Sequence, residues 1–71
     1  MAYEPILVTV DGKPVRLVRG AEVKHALIRA GLLSQVRSGK FIVWDETAGA
    51  PTDPGGALYN GQRLSVRPKK P

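Results

Sequence analysis

The chain has 71 residues, with 11 Lys and Arg against 6 Asp and Glu, a formal charge of +5 and no cysteine. A single domain of this size buries only roughly 60% of the surface its unfolded chain exposes, and without thiols it has no disulfide, thiolate-held iron–sulfur cluster or cysteine zinc site to supplement its core. One histidine and scattered carboxylates give no metal-ligand spacing, so neither a metal nor another cofactor is expected.

The lead from Met1 to Glu4 lacks a basic region followed by an apolar run, and no stretch is long and apolar enough to span a bilayer. A cytoplasmic monomer is the expectation. Ile6 to Val10 is β-branched and reads as a strand, Asp11-Gly12-Lys13 supplies hairpin-turn chemistry, and Val15 to Arg19 returns as the second strand. Pro14 stands at the start of that strand, where a missing N–H does least harm. Gly20 turns the chain out of the sheet and is placed to cap a helix running to Gly31, a C′ glycine by position. Within it Val23, Ala26, Leu27 and Ala30 recur at i, i+3, i+4 and i+7 and share one face.

Leu32 and Leu33 tuck under the helix end, and Ser34 to Gly39 forms a connector with room for one irregular helical turn. Lys40 to Trp44 is the third strand, aromatic and β-branched. From about 45 to 57 the prolines, glycines and acidic residues predict a long mobile surface loop. Ala57-Leu58-Tyr59 reads as a brief strand or a turn, and Asn60-Gly61 as a turn. Arg63 to Arg67 alternates as the last strand, with Leu64 and Val66 toward the core. A frayed basic tail, Pro68 to Pro71, completes a single domain spanning 1–71.

Strand, strand, helix, strand, short strand, strand is the ββαββ order of a β-grasp, an α+β fold with one helix on one face of a mixed sheet. The opening VTVDGKPVRLVRGAEVKHALIRAGL resembles the start of ubiquitin-like β-grasp proteins, among them the sulfur carriers of thiamin and molybdopterin biosynthesis and TGS domains. The segments VKHALIRAGLL, FIVWDE and LYNGQRLSVRPKKP are similar to the small bacterial RnfH family. The resemblance implies the β-grasp fold. Sulfur carriers and ubiquitin-type modifiers act through a slim C-terminal Gly-Gly, and this sequence ends Pro68-Lys69-Lys70-Pro71. Carrier or modifier chemistry therefore ranks last.

One helix covers one face of a sheet, so function is sought on the other. By parity Arg16, Arg63 and Arg67 face away from the core. If Trp44 joins them, guanidinium groups flank an indole and offer phosphate contacts and a stacking surface. In the opposite arrangement Trp44 belongs to the core edge, and the arginines are a solvated face covering apolar surface with their stems. The third strand leaves the choice open. Either Phe41 and Val43 point inward, leaving Ile42 and Trp44 as an exposed apolar patch that calls for a partner, or Ile42 and Trp44 do. Lys24, His25 and Arg29 extend the basic surface along the helix. No nucleophile–base pair emerges: Ser34, Ser38 and Ser65 lack motif context, and His25 has no evident carboxylate partner.

The resulting expectation is a non-enzymatic interaction module that binds another protein through Arg16, Ile42, Trp44, Arg63 and Arg67. The alternative is a TGS-like module binding RNA or DNA through the same arginines. No membrane partner is expected.

Overall fold

The computed structural model describes residues 5–69. Five strands and two helices follow one another as β1 (Pro5–Val10), β2 (Lys13–Val18), α1 (Val23–Ala30), α2 (Leu33–Arg37), β3 (Phe41–Asp45), β4 (Ala50–Thr52) and β5 (Arg63–Pro68). The strands form one mixed sheet in the order β2-β1-β5-β3-β4. β1 and β5 run parallel at its centre, and every other neighbouring pair is antiparallel.

The first hairpin follows from its turn. Asp11 has a φ of 50° and Gly12 of 82°, the positive values that match a two-residue turn to the strand twist, and Val10 pairs with Lys13 across it. The Asp11 carboxylate then accepts the Val66 amide at 3.0 Å, and the Asp11 amide donates to the Leu64 carbonyl. The turn residue thus ties β1 to β5. At the other end of the same pairing, Asn60 Oδ1 accepts the Leu7 amide at 2.9 Å while Gly61 donates to the Leu7 carbonyl. Polar side chains at both ends fix the register of a parallel pair that no short loop connects.

α1 buries Val23, Ala26 and Leu27, with Ala30 packed at the margin of the core. Its cap is Glu22 rather than the expected Gly20, which instead turns the chain with a φ of 95°. The unpaired N–H groups of the first turn are satisfied from a distance. Val23 donates to the Gly56 carbonyl at 2.9 Å and Lys24 to the Pro54 carbonyl at 2.8 Å. His25 Nδ1 accepts the Glu22 amide at 2.8 Å. Gly31 closes the helix in the left-handed region, its amide donating to Ile28 and that of Leu32 to Leu27, so Leu32 and Leu33 are drawn beneath the helix end as expected.

The segment expected to be a loop from 45 to 57 contains β4. Residues 46–49 turn the chain with Gly49 at a φ of 70°, and Ala50, Pro51 and Thr52 pair with Asp45, Trp44 and Val43. An edge strand tolerates Pro51 because its outer side needs no N–H. The brief strand expected at Ala57–Tyr59 is reduced to one bridge between Ala57 and Glu22. The return segment is pressed more closely on β4 than on the helix: a Cβ on Gly56 would stand 2.9 Å from Thr52 Oγ1 and 3.7 Å from Val23 Cγ2 of α1. Of the tail expected to fray, Pro68 belongs to β5 and Lys69 donates to the Lys40 carbonyl; Lys70 and Pro71 lie outside the described residues.

The core is a single cluster in which Ile6, Val8 and Val10 of β1, Val15 and Leu17 of β2, Val43 of β3 and Leu64 of β5 meet α1. Leu27 is completely buried within it. Leu27→Ala should lower stability by about 2–5 kcal/mol, the cost of a large-to-small change in a core. Equilibrium denaturation reads it, and an unchanged midpoint would mean that another face of the helix carries the packing.

Candidate functional site: the face of the sheet opposite the helix

Pairing of Val43 with Val66 and of Asp45 with Leu64 settles the parity of β3. Val43 and Asp45 are buried on the helix side, so Ile42 and Trp44 project from the opposite face, each half-buried. Ile42 lies beside Arg67 and Trp44 beside Ser65. The Arg67 guanidinium sits over the indole, 4.7 Å from the ring centroid, a cation–π geometry.

Glu46 completes this cluster. Its carboxylate accepts the Ser65 hydroxyl at 2.7 Å and pairs with Arg67, while its amide donates to the Arg63 carbonyl. Donation from Ser65 and then from Arg67, with the added charge of Arg63, outweighs the small cost of desolvation and holds the Glu46 carboxyl below its ordinary value. Arg67 is thus paired with Glu46 while its guanidinium lies over Trp44. In the sequence Glu46 reads only as a loop residue; the turn over residues 46–49 returns the chain to the sheet at Ala50.

The five expected residues share a face but not a site. Ile42, Trp44, Arg63 and Arg67 gather on β3 and β5, whereas Arg16 lies on β2 opposite Leu7. Leu7 is two positions before Thr9, which is level with Arg63. Arg16 and Arg67 are thus separated by six strand positions, about 20 Å at 3.3 Å each. At the Arg16 end the face also exposes Leu7, an apolar residue that alternation in the first strand could have indicated.

Behind the face lies a buried polar network that sequence reading missed. Asp45 Oδ1 accepts the Thr47 and Ala48 amides at 2.8 and 3.1 Å, and Oδ2 accepts Gln62 Nε2 at 2.8 Å and the Tyr59 hydroxyl at 3.1 Å. The other end of the Gln62 amide accepts the Tyr59 N–H. Burial opposes the charged form of Asp45, but donation from Gln62, Ala48, Tyr59 and Thr47 prevails and its carboxyl titrates below the ordinary value. These groups have structural work. Among the described residues, no group of three or more His, Cys, Asp or Glu residues is placed to hold a metal ion, and no helix is long and apolar enough to cross a membrane.

No protein-family model matches the chain, and no curated protein matches it.

Two outcomes follow from these carboxylates. Because Asp45 has a lowered folded pKa, its contribution is complete above its ordinary value of 3.8 and is lost as pH falls through the lower folded value. Asp45→Ala should cost about 2–3 kcal/mol at neutral pH through stranded donors, and its denaturation midpoint should fall less steeply than that of the parent chain below about pH 4. Parallel pH profiles would show that Asp45 is not the acid-sensitive group. For Glu46, carboxyl carbon shifts should show titration below 4.5, and Arg67→Ala should raise the midpoint and release the ring-current shifts of Trp44.

Proposed function

We propose that this chain is a β-grasp domain acting as a non-catalytic interaction module, and that the sheet face opposite the helix binds another protein. The order β2-β1-β5-β3-β4, with its parallel centre and α1 crossing one side, supports the fold reading. It agrees with the resemblance to ubiquitin-like and RnfH-type chains in the hairpin, the helix and the last strand. The binding residues are Ile42, Trp44, Arg63 and Arg67, with Leu7 and Arg16 extending the surface.

One observation carries the choice of partner. Arg67 covers the indole and is itself paired with Glu46, so a base stacking on that side of the ring, or a phosphate taking the bonded edge of the guanidinium, would first displace these contacts. A protein surface asks for neither. It can meet Leu7 and Ile42 with apolar groups and Arg16 and Arg63 with carboxylates. Under the nucleic-acid reading, Arg67 must leave both Trp44 and Glu46 before a nucleotide can stack on that side of the ring.

The two readings separate in one experiment with two parts. Single-stranded RNA added at low and at high salt should leave the amides of Arg16, Trp44, Arg63 and Arg67 unmoved. A benzophenone side chain in place of Ile42, photolysed in the source cells, should give one discrete protein adduct that disappears with Arg63→Glu. RNA-induced shifts that vanish with salt, or adducts to nucleic acid, would replace the protein reading with the nucleic-acid one.

A further inference from the structure

Asn60 is the only asparagine of the chain, and a glycine follows it. That pair is the one most prone to lose its side-chain amide. The glycine nitrogen has no neighbouring side chain to hinder it and closes readily on the asparagine Cγ. Both residues are exposed, in the turn that leads into β5. Gly61 has a φ of 86°, and a Cβ there would meet nothing within 4 Å, so no crowding keeps the two groups apart. What holds them is Leu7. Its amide donates to Asn60 Oδ1 at 2.9 Å, and its carbonyl accepts the Gly61 N–H at 2.8 Å. The oxygen of the electrophilic amide and the proton of the nucleophilic one are thus both bound to one residue of β1. The turn is also anchored on either side, since the Tyr59 hydroxyl and Gln62 Nε2 both donate to Asp45 Oδ2.

We propose that Asn60–Gly61 is a site of spontaneous deamidation, held off in the folded chain by Leu7 and released when β1 parts from the turn. In the reaction the Gly61 nitrogen gives its proton to water and bonds to Asn60 Cγ. The Cγ–Nδ2 bond then breaks, ammonia leaves with a proton taken from water, and a succinimide remains. Water adds to one of the two ring carbonyls. Opening at Cγ gives aspartate, and opening at the main-chain carbonyl gives isoaspartate. The first step requires the Gly61 nitrogen to lose its proton and both amides to turn into one ring. The bonds to Leu7 oppose each of these movements, so the reaction proceeds from a locally opened state.

The products alter the end of the sheet at which Leu7 is exposed. Aspartate keeps an acceptor for the Leu7 amide and removes one unit from the formal charge of +5. Isoaspartate lengthens the backbone by one carbon immediately before Gly61, which carries its N–H out of register with the Leu7 carbonyl and loosens the β1–β5 junction. Asp11-Gly12 offers the same ring closure with water as the leaving group, but its rearrangement changes neither mass nor the number of carboxylates. Loss of ammonia therefore reports on position 60. Nothing in this chemistry depends on the open-face reading, although Leu7 belongs to that face.

The test incubates the full chain at mildly alkaline pH, folded in buffer and unfolded in guanidinium chloride. Conversion of amide to carboxyl is followed by intact mass and cation-exchange retention, and hydrogen exchange of the Gly61 amide is measured in the same buffer. The folded chain should deamidate about tenfold or more slowly than the unfolded one. The factor should match the protection of the Gly61 amide, since both processes need that N–H released from Leu7. Asn60→Asp should gain no mass and should elute with the aspartate product. Equal rates in the two states, or a faster rate in the folded chain, overturn the proposal, because the bonds to Leu7 would then be indifferent or would assist. An unfolded chain that keeps its amide removes the site itself. Deamidation of the folded chain far faster than Gly61 protection allows would show that Leu7 is not what restrains it.

Discussion

A buried carboxylate at the end of β3 sets the geometry of the sheet face opposite the helix. Asp45 is 6% exposed, and a charge so placed is tolerable only where donors surround it. Those donors come from three places: the turn that follows it, Tyr59, and Gln62 at the threshold of β5. With Asp45 held on the helix side, the two-residue period of a strand leaves no freedom for its neighbours. Val43 enters the core, and Ile42, Trp44 and Glu46 emerge on the other face. A slip of one position would bury Trp44 and Glu46 and expose Val43.

The same carboxylate organises the second half of the chain. By accepting the Thr47 and Ala48 amides it shapes the turn that lets Ala50 to Thr52 pair with β3. From β4 the chain returns to the helix, where Pro54 and Gly56 supply carbonyls to the first turn of α1. A helix of eight residues is too short to be stable alone, so these remote acceptors matter to its start as Gly31 does to its end. Sheet and helix are thereby joined through a segment rich in residues that break regular structure.

What was legible in the sequence was local. Asp11-Gly12, the Val23 to Ala30 stripe, Gly31, and the alternation of Leu64 and Val66 act over a few residues, and each appears where those patterns place it. β4 was hidden because Pro51 and the surrounding glycines are turn signals whatever the strand beside them does. The cap at Glu22 was hidden because histidine at the third helical position is an unusual acceptor for an N-cap amide. The parity of β3 depended on Tyr59 and Gln62, respectively 14 and 17 residues beyond Asp45, and no periodicity within Lys40 to Trp44 expresses such a contact.

The arginines illustrate the difference between sharing a face and sharing a site. Parity correctly puts Arg16, Arg63 and Arg67 on the side away from the helix, but parity has no information about distance along a sheet. Register supplies it. Arg67 is drawn to one end by Trp44 and Glu46, while Arg16 stands on the outer strand beside backbone groups that nothing in the described chain satisfies. A charge held by its own protein adds mainly rigidity, since its electrostatic attraction is already spent locally. The surplus positive charge that composition spreads over the whole chain is thus unequally placed: Arg67 is paired with Glu46 beside the indole, whereas Arg16 has no carboxylate partner among the described residues.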